Sequence, residues 1–269
     1  MRGMSSSGSG AAVTAARRAS LAAAVAALDD VLIKPLRLNS QHVVLVVPVE
    51  LHAVPWAALP TLHDRSFTLV PSVRWWIRAA SARPSPPASA LVVAGPRLAE
   101  ADDEARAVAQ CHRQARLLSG ADATVANVGA ALAEHDLAHI VAHGSFRHDN
   151  PLWSTIELVD GHLTVYELER LRGVPSTMVL ATCDSGVVGG HVGAQLHGLA
   201  GTLLNMGATT IVAAIGPLPD TAETRTTMAE LHRDLASGCT ASASLARQRV
   251  SAENPLDLTS AGLVTLGVR

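Results

Sequence analysis

From Leu91 onward, short aliphatic runs alternate with helical segments, and that order constrains the fold more than any other feature of the chain. The runs are Leu91–Ala94, Leu137–Ala142, Met178–Thr182, Thr209–Ala214 and Gly262–Leu266, with a shorter one at Ala115–Leu118. Continuous apolar strands of this kind are buried on both faces, as when helices cover each side of a parallel sheet. The helical segments read as Glu100–Gln114, Thr124–His135, Val165–Leu171, Gly193–Met206, Thr221–Ala236 and Thr240–Val250. Asp160-Gly161, inside Thr155–Leu163, is a two-residue hairpin signal. The predicted class is α/β, a mostly parallel central sheet sandwiched between helices.

The first third is less regular. Met1–Gly10 is rich in Ser and Gly, and residues 1–19 are expected to form a disordered tail. A helix is predicted from Ser20, a good N-cap, to Lys34, where Pro35 stops it. Leu21, Val25, Leu28 and Leu32 recur there at helical spacing. Arg17-Arg18 ahead of this stretch gives it a faint likeness to a signal peptide, but Asp29-Asp30 follow directly and favour an ordinary amphipathic helix. Val43–Val47 reads as a strand buried on both faces, Leu51–Leu59 as a loop with a helical turn, and Ser66–Val70 as a second strand. Ser72 caps a helix whose Trp75 and Trp76 read as core or interface anchors. Arg83-Pro-Ser-Pro-Pro87 is the clearest internal break. It divides residues 20–88, a helix and strand region packing on the core, from the core itself at 89–269.

Composition removes several function classes. A chain of 269 residues with 48% hydrophobic residues and a net charge of −2 holds enough apolar mass for a sizeable core. The near-neutral charge offers no basic face to nucleic acid, and 3% aromatic residues supply no stacking platform for bases. Lys34 is the only lysine and follows no glycine-rich loop, which excludes phosphate-loop nucleotide hydrolysis and argues against Schiff-base chemistry. Cys111, Cys183 and Cys239 are odd in number, widely spaced and form no C-x-x-C pair. They fit reduced thiols in the cytoplasm better than a disulfide framework or a zinc ribbon. No apolar run is long enough for a membrane helix, so no membrane partner is expected.

Nor do the twelve histidines suggest a metal. His139 and His143 fall on one face of a strand, but about 13 Å apart at ~3.3 Å per residue. His191 and His197 flank the glycine-rich stretch Gly186–Gly193 with no carboxylate cluster beside it. That stretch lacks G-x-G-x-x-G, and G-x-S-x-G is missing throughout. No metal and no cofactor are expected.

Two strands end in reactive residues. Leu137, His139, Val141 and His143 share one face by alternation, and this strand ends in His143-Gly144. Met178–Thr182 runs into Cys183-Asp-Ser-Gly186. Open parallel sheets bind ligands beyond the carboxyl ends of their strands, so parallel neighbours would bring His143 and Cys183 to one edge. A nearby imidazole can take the proton of a thiol that is otherwise only a few per cent ionised, and later return it to a leaving amine. The backbone N–H groups of Gly144 and Cys183 are candidate oxyanion donors. A buried structural thiol beside a core histidine is the plainer alternative. Cys111 and His112 are consecutive in a helical segment and do not face each other, and Cys239 follows a predicted Ser237-Gly238 turn.

Ala138-His-Ile-Val-Ala-His143-Gly144, Leu163-Thr-Val-Tyr-Glu167-Leu and Leu180-Ala-Thr-Cys183-Asp-Ser-Gly186 together resemble the CHAT domain, a caspase-like family of the clan that includes caspases and separase. The resemblance continues in Gly198-Leu-Ala200, Leu203-Leu204 and Gly207-Ala208, in Pro217-Leu-Pro-Asp220 with Thr224 and Met228, and upstream in Leu51-His-Ala-Val-Pro55-Trp-Ala-Ala-Leu59-Pro. It covers the chain from about residue 40 onward, with the motifs in the family's order.

What this resemblance implies is a caspase-like three-layer sandwich, with residues 20–88 as the pseudo-caspase-like half and 89–269 as the catalytic core. It also implies cysteine endopeptidase activity on a protein or peptide substrate through a thioester. His143 is then the catalytic histidine and Cys183 the nucleophile, with Gly144 and Cys183 amides as the oxyanion hole. Three departures from the family pattern stand out: Ala181-Thr182 before the cysteine, Gln195 where an acidic residue is common, and no tryptophan ahead of Pro217. Asp184 either biases the pocket toward a basic P1 residue or caps the segment that follows. Asp149 and Asp160 are further acidic candidates that also suit turns. Family members often follow helical repeats, for which there is no room upstream here, so a regulator would be a separate chain. The rival class is an interaction module that keeps the fold without catalysis.

Overall fold

The computed structural model describes residues 7–48, 51, 54–80, 86–145, 154–183, 192–254 and 256–268. Helix α1 (Ser7–Leu32) starts well ahead of the predicted Ser20. Alanine has the highest helix propensity, and the alanine-rich stretch from Ala11 carries the helix upstream without tertiary support, since residues 12–24 are exposed. The buried line of α1 is also not the expected leucine stripe. Val25, Asp29 and Ile33 are buried, while Leu21 and Leu28 are 48% and 37% exposed. The Asp29 carboxylate accepts from Thr61 Oγ1 at 2.7 Å and from the Thr61 amide, and that polar anchor sets which face turns inward.

Strands β1 (His42–Leu45) and β2 (Ser66–Leu69) pair in parallel. Val43 and Leu45 are buried but Val44 only partly, because β1 lies at the edge of the sheet; the expectation of burial on both faces is corrected here. Helix α2 (Val73–Ala80) begins where Ser72 Oγ accepts from the Trp75 amide, and Trp75 is buried.

The remaining elements follow as β3 (Ala90–Ala94), α3 (Ala101–Ala109), β4 (Ala115–Leu118), α4 (Val125–Leu132), β5 (Leu137–Ser145), β6 (Thr155–Leu158) and β7 (Gly161–Thr164). After them come α5 (Val165–Leu168), β8 (Thr177–Cys183), α6 (Val192–Met206), β9 (Thr210–Ala214), α7 (Ala222–Ala236), α8 (Ala241–Ser251), α9 (Leu258–Gly262) and β10 (Leu263–Gly267). Threonines start four of the helices. The side chains of Thr124, Thr164, Thr221 and Thr240 each accept from the amide three residues on, and Thr164 forms a reciprocal capping box with Glu167. Helix α3 stops at Ala109 rather than Gln114, where Cys111 and His112 turn toward α7.

The main sheet has the order β1-β2-β10-β9-β8-β5-β3-β4, with the hairpin β6–β7 attached to the end of β5. Strands β9, β8, β5, β3 and β4 are mutually parallel, as are β10, β2 and β1. The two sets meet antiparallel at β9–β10, so the sheet is mostly parallel with one reversal. Alternation along the strands divides the core. Ala138, Ile140, Met178, Leu180 and Ile211 pack with α1, α4, α5 and α6, while Leu137, Val141, Val179, Ala181 and Val212 pack with α3, α7 and α8. The result is a three-layer α/β sandwich.

Candidate active site

β5 and β8 lie side by side as a parallel ladder from Leu137↔Thr177 to His143↔Cys183. The last pair stands at the carboxyl end of the parallel strands, where His143 and Cys183 occupy register positions one strand spacing apart, about 4.8 Å. By alternation with Leu137 and Val141, His143 lies on the face of β5 that packs with α3 and α7. Gly144 follows directly, buried, as the register partner of Ile156 on β6. Asp149, Asp184 and residues 186–191 of the glycine-rich stretch lie outside the described residues. Asp160, the third acidic candidate, is occupied in capping α4: its carboxylate accepts from the Val125 amide at 2.8 Å.

His143 is half-buried, and its Nε2 is 3.2 Å from the carbonyl oxygen of Arg97. A carbonyl only accepts, so Nε2 carries the hydrogen, and a neutral ring then holds its lone pair on Nδ1. The sequence offered no side-chain signal for this contact, because Arg97 contributes only its main chain. Its position is nevertheless built in. Gly95 at the end of β3 donates its amide to the Val141 carbonyl at 2.8 Å, and a Cβ there would sit 2.6 Å from Ala142 Cβ. The chain then turns through Arg97 at φ 63, a left-handed conformation uncommon outside glycine.

Three charged contacts hold that turn. Arg97 forms an ion pair with Glu157 of β6. Asp220 accepts from the amides of Ala99 and Glu100 at 2.6 and 3.0 Å, satisfying donors at the start of α3. Glu100 pairs with Arg225 of α7 at 2.7 Å. Asp220 belongs to the Pro217–Asp220 stretch that the sequence singled out, which gives that stretch a physical task. On the opposite face of β8, Thr182 is 4% exposed and its hydroxyl has no hydrogen-bond partner among the described residues.

The other two cysteines are differently placed. Cys111 Sγ lies 3.3 Å from the Ala107 carbonyl and 3.5 Å from that of Ala229, and burial pushes its thiol pKa up. Cys239, in the turn after α7, receives a hydrogen bond from Arg247 Nη1 at 3.3 Å. Among the described residues no three His, Cys, Asp or Glu side chains converge as metal ligands, and no helix is long and apolar enough to cross a membrane.

The sequence matches the CHAT domain over residues 22–258. Two crystal structures of the Saccharomyces cerevisiae separase–securin complex, at 3.0 and 2.6 Å resolution, share its fold with TM-scores of 0.63 and 0.61. Identity is 18% and 17%, and both cover 84% of this chain. The chain in turn spans 15% and 16% of those chains. No curated protein matches the sequence.

Proposed function

The chain belongs to the CHAT domain family, and on that premise we propose that it is a cysteine endopeptidase acting through His143 and Cys183. The observation that carries this reading is the terminal β5–β8 register pair His143↔Cys183 at the carboxyl edge of the sheet. With Nε2–H committed to the Arg97 carbonyl, Nδ1 of His143 receives the thiol proton. The Cys183 sulfur attacks the substrate carbonyl, and the Gly144 and Cys183 amides stabilise the oxyanion. Collapse forms a thioester while His143 returns the proton to the departing amine. Water, deprotonated by the same ring, then releases the acid.

Three widely spaced cysteines, odd in number and without a C-x-x-C pair, suit a reducing compartment, and we place the protein in the cytoplasm. Separase is captured with securin in the two related structures, and a separate regulatory chain is the corresponding partner here. The test is a peptide library digested by the wild type, scored for basic P1 residues because Asp184 follows the nucleophile, with Cys183→Ala and His143→Ala as controls. Cleavage lost in both variants supports the dyad. Cleavage that survives Cys183→Ala overturns it, and a folded wild type that cuts nothing leaves the interaction-module reading.

A further inference from the structure

Four ionisable side chains from separate parts of the chain form an unbroken file through the layer of α3 and α7. Glu104 of α3 is 3% exposed, and His139 of β5 and His232 of α7 are fully buried. His139 Nε2 lies 3.0 Å from Glu104 Oε1, and His139 Nδ1 lies 3.1 Å from His232 Nε2. His232 Nδ1 lies 2.8 Å from Nε2 of His112, the half-buried end of the file. Both ring pairs meet edge to face, at 82° and 85°.

A neutral imidazole has one donor and one acceptor nitrogen, so each hydrogen bond fixes the next. With Glu104 ionised, His139, His232 and His112 all carry hydrogen on Nε2, and every N–H points toward the carboxylate. With one more proton and Glu104 as a carboxylic acid, all three rings carry hydrogen on Nδ1. Every hydrogen bond is then reversed and no member bears a charge. No heavy atom needs to move between the two arrangements.

We propose that Glu104, His139, His232 and His112 form a proton-binding site in which one proton, taken up at His112, is stored by reversing three hydrogen bonds. The proton binds His112 Nδ1, and the hydrogen on His112 Nε2 passes to His232 Nδ1. That on His232 Nε2 passes to His139 Nδ1, and that on His139 Nε2 to Glu104 Oε1. One proton enters, and the charge of the file goes from −1 to zero.

Burial favours this ending over a trapped imidazolium. Desolvation first, and then the neighbouring histidine charges, push the pKa of His232 well down; burial and then His139 lower that of His112. The other ionisable groups of the packed elements are engaged elsewhere. Cys111 is held by two carbonyls and is influenced by Arg233, and Glu100 and Asp103 pair with Arg225. Arg106 pairs with Asp103, Asp234 with Arg247, and His143 donates to Arg97. Asp102, Glu223 and Glu230 are exposed.

The test is nitrogen-15 NMR of the imidazole rings in the whole protein, titrated downward in pH with the fold monitored alongside. The expected result is that His112, His232 and His139 switch from Nε2–H to Nδ1–H together, at one midpoint, with no imidazolium signal at His139 or His232. In His112→Phe, which closes the solvent end, His139 and His232 no longer switch over that range, and in Glu104→Gln the shared transition is lost. Separate midpoints, an imidazolium signal at His139 or His232, or no switch before unfolding overturns the proposal. So does an unchanged titration in a folded His112→Phe. Should either variant fail to fold, the wild-type tautomer exchange alone decides.

Discussion

His143 donates from Nε2 to the Arg97 carbonyl at 3.2 Å, across a turn that runs past the end of β5 only because residue 95 has no side chain. A methyl group at 95 meets Ala142 Cβ at 2.6 Å, with the Ala142 Cα and the Glu157 carbonyl at 3.0 Å. None of these is the end of a flexible side chain. Gly95→Ala is therefore expected to cost about 1–3 kcal/mol of stability, as overpacking does, and to displace the Arg97 carbonyl. Urea unfolding gives the first effect, and the tautomer of His143 by NMR gives the second. A variant as stable as wild type, with Nε2 still protonated, would show that the close approach is not a constraint.

Asp220 holds the same turn from the α7 side. Removing its carboxylate leaves the Ala99 and Glu100 amides without their acceptor. Asp220→Ala is expected to lose about 0.5–2 kcal/mol, the range for an N-terminal helix cap, and Asp220→Asn distinctly less. Equal urea midpoints for the two variants would contradict this.

Stability should fall with acid before the carboxylates titrate. Unfolded, His112 and His232 each take up a proton near pH 6.5, whereas in the fold their lowered pKa values leave room for at most the one proton that the file stores. The unfolded chain then binds more protons, so stability is fully present above that pH and is lost as pH drops through it. The slope approaches about 1.4 kcal/mol per pH unit for each proton of difference. Urea midpoints measured between about pH 8 and pH 5 check the sign, and a flat profile would refute it.

Thiol chemistry separates the three cysteines. Burial raises the Cys111 thiol pKa, so at about pH 6.5 iodoacetamide should label Cys111 slowly and Cys183, if its thiolate is stabilised by His143, much faster. His143→Ala should slow labelling at Cys183 alone. Comparable rates at all three positions would remove the chemical basis for the dyad.

The sheet was legible wherever both faces are covered, since Leu91–Ala94, Met178–Thr182 and Thr209–Ala214 spell continuous apolar strands. Val43–Val47 spells the same pattern at an edge, where composition does not reveal that one side is open. The end of the β5–β8 ladder at His143 and Cys183 was legible because alternation and the glycines that follow mark it. The Arg97 carbonyl was not, because a main-chain acceptor leaves no residue signature. The histidine file was hidden for another reason: its contacts join positions about a hundred residues apart, and no local pattern links His112, His139 and His232.

The reversal between β9 and β10 ties early and late parts of the chain together. β2 has β1 and β10 as its only sheet neighbours among the described residues, and a two-stranded ribbon is marginal alone in water. Residues 42–69 therefore join the rest of the sheet only by way of 263–267, which lie between β2 and β9. A change that loosens β10 should therefore release the β1–β2 ribbon while leaving the β9-β8-β5 ladders paired.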